Sequence, residues 1–140
     1  MTKNYISTKI ITAWKSEKDG QEGYAVKYED GYTSWSPKAV FEAAYRAIEG
    51  AAQALTFGDV VVMLKAGKRV ARAGWNGDGM FIYLVAAASY PVQTDVASAW
   101  YGAGSMVPYN AYFALKGVDN KISTWVPSIS DCLADDWYTL

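Results

Sequence analysis

The longest strongly apolar run in the chain, Met80 to Ala88, limits what any element of this fold can be. It is far too short for a helix across a bilayer, which needs about 20 apolar residues. Inside it, "MFIYLV" is continuously apolar at strand length and predicts a strand buried on both faces. Elsewhere glycine, proline, asparagine and aspartate cut the sequence into short pieces. Such pieces, alternating between strand and helix patterns, predict an α+β fold of small antiparallel sheets with short helices.

The pieces fall into two groups. "YISTKIITAW", residues 5–14, is rich in β-branched and aromatic residues and predicts a strand. "YAVKYE" and "YTSW" flank Asp30-Gly31, a dipeptide suited to the positive φ angles of a two-residue hairpin. "SPKAVFEAAYRAIEG" reads as a helix with Ser36 as cap, Pro37 at its first position and Gly50 at its end. This N-terminal ββα-type unit covers residues 1–50, and "EGAAQAL" reads as a short link. A compact α+β ligand-binding domain, residues 56–140, follows. "TFGDVVVMLKAG" predicts a helix capped by Thr56 and ended by Gly67. "KRVAR" and "MFIYLV" are strands, "AYFALK" and "ISTW" a hairpin around "GVDN", "PSISDCLADDW" a short helix and "WYTL" a closing strand. Residues 86–110 fit no element cleanly, so they either serve a function or hide a short helix.

Composition removes whole classes of chemistry. The chain has no histidine, which excludes an imidazole base or ligand. Its single cysteine, Cys132, allows neither an intrachain disulfide nor a thiolate zinc site. Thirteen basic residues against fourteen acidic ones give no basic stripe for nucleic acid. No loop has the ligand spacing of a calcium hand, so no metal is expected. No signal-peptide pattern opens the chain, and the expectation is a soluble intracellular protein. Six Trp and eleven Tyr leave recognition, not bond breaking, as the better supplied chemistry, and neither an enzyme nor a cofactor is expected.

"ARAGWNGDGM", residues 71–80, places Trp75 at the mouth of a glycine-rich turn. It is either a rim residue packed over a hairpin or a stacking platform for a flat ligand, worth about 1–3 kcal/mol per base. In the second reading its removal leaves thermal stability almost untouched. Asn76 could offer its amide to a ribose or phosphate oxygen, and Arg72 its planar fork to a diphosphate. In "WVPSISDCLADDW", Trp125 precedes a helix start where Ser128 and Asp131 have capping-box spacing. The same helix start reads alternatively as an anion site, with Asp131 accepting from ribose hydroxyls.

These two stretches resemble the second class of Thoeris anti-defence proteins, small phage proteins that sequester immune signalling nucleotides. The resemblance runs over residues 56–140, through Gly-Trp-Asn-Gly before a Met-Phe strand and Trp-x-x-Ser-x-x-Asp-x-Leu-Ala-x-Asp-Trp. It implies a homo-oligomer, usually a homotetramer, with ligand pockets between subunits. It implies binding, without degradation, of glyco-cyclic ADP-ribose, the cyclic ADP-ribose signal of TIR-domain proteins, in the cytoplasm of the infected host. Some relatives also take cyclic dinucleotides of another defence pathway. Carried over, Trp75 is the turn tryptophan, followed by Asn76, and Trp125, Ser128 and Asp131 match the second motif. A hydrolase of the same nucleotide and a phage structural or interaction protein remain the alternatives. Residues 1–50 lie outside the resemblance, and "DGYTSWSPKAVFEAAYR" resembles an N-terminal segment of other small phage proteins.

Overall fold

The computed structural model describes residues 1–140, in two compact units, Met1–Ala47 and Ile48–Leu140. The chain is α+β, with small antiparallel sheets and four short helices.

The first unit is a three-stranded sheet, β1 (Thr12–Lys18), β2 (Gln21–Lys27) and β3 (Thr33–Pro37), followed by α1 (Lys38–Ala44). The tight hairpin falls at Asp19-Gly20, both at positive φ (53° and 79°), where Lys18 pairs with Gln21. At Asp30-Gly31 only Gly31 is at positive φ (87°), and the Asp30 carboxylate accepts the Tyr32 N–H at 3.0 Å, a wider loop than the expected two-residue turn. The first strand therefore starts at Thr12, and residues 5–11 are outside any element. The helix is also shorter than expected. It begins after Pro37 without a side-chain cap, Ser36 lies in β3, and Tyr45 is already extended. Tyr45 leaves the helix to stack on Phe41 at 4.9 Å, and Phe41 stacks in turn on Tyr24 at 4.1 Å.

The second unit opens at Leu55, whose backbone pairs with Trp137 across an isolated bridge. Then come α2 (Phe57–Lys65), β4 (Val70–Arg72), β5 (Phe81–Val85), β6 (Ala88–Pro91), α3 (Asp95–Tyr101), β7 (Met106–Tyr109), β8 (Tyr112–Lys116), β9 (Ile122–Trp125), α4 (Ile129–Leu133) and β10 (Trp137–Thr139). The main sheet runs β10-β4-β5-β8-β9, antiparallel throughout. Thr56 caps α2 in a reciprocal capping box with Asp59, and Gly67, at φ 82°, follows its end. Val60, Met63 and Leu64 of α2 meet Leu55, Val70, Ile82 and Trp137 in the core.

Of the strand expected to be buried on both faces, only Ile82 is buried; Phe81 and Tyr83 to Val85 are half-buried. Residues 86–110 do contain the missing helix, α3, between the strands of a separate two-stranded ribbon, β6 and β7. The expected link is not loose. Gln53 accepts the Thr139 N–H at 2.9 Å, and the Thr139 hydroxyl donates to the Ile48 carbonyl at 2.7 Å. Residues 48–55 are thus laced to β10.

Candidate functional site

β4 and β10 pair so that Arg72 stands opposite Trp137, which sets the "GW" turn against the "DW" dipeptide. Arg72 Nε donates to Asp136 Oδ1 at 2.9 Å, and Arg72 Nη1 to Asp131 Oδ1 at 3.0 Å. The Gly74 N–H donates to Asp136 Oδ2 at 2.9 Å, and the Ala73 N–H to the Asp136 carbonyl at 3.0 Å. Trp75 closes the turn with its N–H on the Arg72 carbonyl at 3.2 Å. Further on, the Lys116 ammonium holds the Gly79 carbonyl at 2.9 Å.

α4 has a complete capping box. The Ser128 hydroxyl accepts the Asp131 N–H, while Asp131 Oδ2 accepts the Ser128 N–H and hydroxyl, each at 2.9 Å. The Trp137 indole N–H donates to the Asp131 carbonyl at 3.0 Å. Asp131 is the buried polar residue of the chain, and every one of its bonds has a partner in this network. Burial pushes its carboxyl pKa up, but bonds from Ser128, Arg72 and the Trp75 indole outweigh that and hold it below the usual carboxylate range. At Asp136 the bond from Arg72 lowers the pKa against a smaller burial effect, with the Gly74 N–H adding to it. The same bonds, Asp136 first and Asp131 second, raise that of Arg72.

An indole cluster lies over this polar frame. Trp75 meets Trp137 at 5.4 Å and 75°, and Trp125 at 6.4 Å and 65°; Trp125 meets Trp137 at 6.1 Å and 78°. Edge-to-face packing of this kind suits the ring quadrupoles. Phe57 and Phe113 tilt against the same group. Trp137 is fully buried, whereas Trp75 and Trp125 are half-buried and keep part of each ring at the surface.

The structure therefore brings five of the candidate residues together: Arg72, Trp75, Trp125, Ser128 and Asp131. Asn76 stands exposed one residue beyond the indole. The roles shift, however. Two edges of the Arg72 fork are committed to carboxylates, so a bidentate diphosphate grip is not free to form. An ionised carboxylate has about four lone-pair sites, and three of those of Asp131 are taken by the Ser128 N–H, the Ser128 hydroxyl and Arg72. The first donors of α4 face that carboxylate, which removes the expected anion site. Sequence reasoning missed Asp136 and Trp137, because neither their partner Arg72 nor the pairing of β10 with β4 is a local signal. Asp136 lies beyond α4, on the way into β10. A cavity of about 330 Å³ beside Gln53, Met63, Lys68 and Thr139 shares no residue with the cluster.

The sequence profile of the Thoeris anti-defense 2-like domain matches residues 55–140, from the Leu55 bridge onward, and the chain belongs to that family. It is 37% identical over 86 residues to Thoeris anti-defense 2 of Bacillus phage SP01, a stretch covering 59% of this chain and 91% of that protein.

Proposed function

We propose that this protein inhibits Thoeris immunity in the cytoplasm of the infected host by sequestering glyco-cyclic ADP-ribose without degrading it. The observation that carries the reading is Trp75: a half-buried tryptophan whose backbone N–H closes the turn on the Arg72 carbonyl, whose preceding residue is bonded to Asp136, and whose ring packs on two neighbouring indoles. A flat aromatic held so rigidly loses little freedom when a purine stacks on it. Membership of the Thoeris anti-defense 2-like family supports the anti-defence role, and the resemblance carried by the Trp75 and Trp125 motifs supports this class of ligand. The electrostatics favour holding over cleaving. Both carboxylates of the cluster are depressed in pKa and bonded to Arg72, which makes them weak general bases at neutral pH.

The proposed assembly is a homotetramer with pockets shared between subunits, which would enclose a dinucleotide-sized ligand more fully than one subunit can. The test is a mass balance. Glyco-cyclic ADP-ribose mixed with excess protein should leave the free pool and return unchanged, in full, after heat denaturation. Magnesium or chelator should make no difference. Recovery of ADP-ribose or any linear product would end the proposal in favour of a hydrolase. A ligand that stays free throughout would leave the exposed apolar surfaces as those of an interaction protein. Cyclic dinucleotides, which share purine rings and phosphodiesters, belong in the same assay as competitors.

A further inference from the structure

Three consecutive residues precede Trp75, and each is bonded to Asp136: Arg72 through Nε at 2.9 Å, Ala73 through its N–H at 3.0 Å, and Gly74 through its N–H at 2.9 Å. Gly74 is needed there for space. A Cβ on it would lie 2.8 Å from Asp136 Oδ2, closer than real Cβ atoms come to a neighbour. Asp136 is itself fixed, because the next residue, Trp137, is fully buried and opposite Arg72 in the sheet. The Arg72 guanidinium lies 6.0 Å from the centre of the Trp137 ring, so the cationic end of the ion pair faces the buried indole that follows Asp136 in the chain. Asp135, one residue earlier, is exposed.

From this geometry we infer that Asp136 is the positioning residue of the ligand site: it sets the path of residues 72–74 and thereby the attitude of the Trp75 ring. The inference rests on the reading of Trp75 as the ligand's stacking face. Gly-Trp and Asp-Trp are then one device in two places of the sequence. Glycine admits the carboxylate, the carboxylate holds the turn, and the turn presents the indole. Asparagine is nearly the same size, but its NH2 group faces a donor, either the Gly74 N–H or Arg72 Nε, whichever way the amide turns.

The test uses the full chain with Asp136→Asn, Gly74→Ala and, as a control, Asp135→Asn. The first readout needs no ligand. The indole N–H resonance of Trp75, assigned by its loss in Trp75→Ala, should move in Asp136→Asn and Gly74→Ala and stay in place in Asp135→Asn. The second is calorimetric titration with glyco-cyclic ADP-ribose. Asp136→Asn should weaken binding about tenfold, equivalent to about 1.4 kcal/mol, and by less than about twofold when Trp75 is already alanine. Equal losses in both backgrounds would mean general destabilisation and would overturn the inference, as would an unmoved indole resonance. If the wild-type chain takes up no nucleotide, the proposed function fails, yet the resonance still decides whether Asp136 positions Trp75. Should Asp136→Asn not fold, Gly74→Ala decides by the same two readouts.

Discussion

The Trp75 indole packs edge-on against Trp137 and Trp125 while part of its ring stays at the surface. Both sequence readings of this residue, rim packing and stacking face, thus describe parts of one ring. The expectation that its removal leaves stability untouched does not survive this packing. Trp75→Ala should lower stability by about 2 kcal/mol, roughly half of what a fully buried aromatic loses, and should abolish most nucleotide affinity. Trp75→Phe keeps a ring but loses the indole N–H and part of the stacking face, so affinity should fall far less. Thermal melts and titrations of both variants decide; equal affinity loss in the two would show that ring stacking is not what binds. Acid sensitivity also belongs to single residues. Asp131 and Asp136 have folded pKa values below their unfolded ones, so the unfolded chain binds more protons as pH falls. Their contribution is therefore full at neutral pH and is lost below about pH 4, the ordinary carboxylate value. Arg72→Met should lower the melting temperature at pH 7 and flatten its decline between pH 4 and 3. A decline as steep as in the wild type would place the acid-labile groups elsewhere.

Residues 48–55 carry the clearest element-scale consequence, since Gln53 and Ile48 lace this segment to Thr139. A chain beginning at Ile48 should melt near the temperature of the second unit in the full protein. One beginning at Leu55 should melt lower, by about 1 kcal/mol for each hydrogen bond lost. Equal melting of the two would make the lacing a surface detail. Outside residues 86–110 the sequence showed the strands and helices of this unit well because turn residues and apolar periodicity are local signals: Thr56 before a helix, Ser128 with Asp131, Gly67 after a helix. It showed poorly what depends on partners. Asp19-Gly20 and Asp30-Gly31 are the same dipeptide, and only strand pairing decides which makes the tight hairpin. Likewise the five clustered candidates were legible as residue types, while Asp136 was not. Its role comes from β10 lying beside β4, a contact across more than sixty positions.

At the scale of the whole molecule, residues 86–110 are out of balance as a single subunit. A two-stranded ribbon and a seven-residue helix are each marginal alone. Yet Tyr90, Val96, Trp100, Tyr101, Met106 and Tyr109 are between 45% and 84% exposed, and Asp95 is the single charge in the segment. Val96 and Trp100, one helical turn apart on α3, are the most exposed of these six, at 82% and 84%. With about 150–250 Å² for a whole aromatic side chain, these six expose roughly 700 Å², close to the ~800 Å² each partner commits to a stable interface. A surface with almost no charge offers nothing for an oppositely charged partner, and an apolar face of this kind can be buried against a second copy without leaving a charge unpaired. The proposed homo-oligomer should therefore close through this ribbon, and light scattering at micromolar concentration should give a mass several times the 15.3 kDa of one chain. Trp100→Asp and Val96→Asp should each reduce that mass, because like charges would meet across a two-fold seam. If pockets are shared between subunits, the same variants should lose nucleotide affinity in step with assembly, and concentrating the protein should restore both together. A fully assembled Trp100→Asp variant, or a wild type that is monomeric and still binds tightly, would confine the site to one chain and leave the ribbon for another partner.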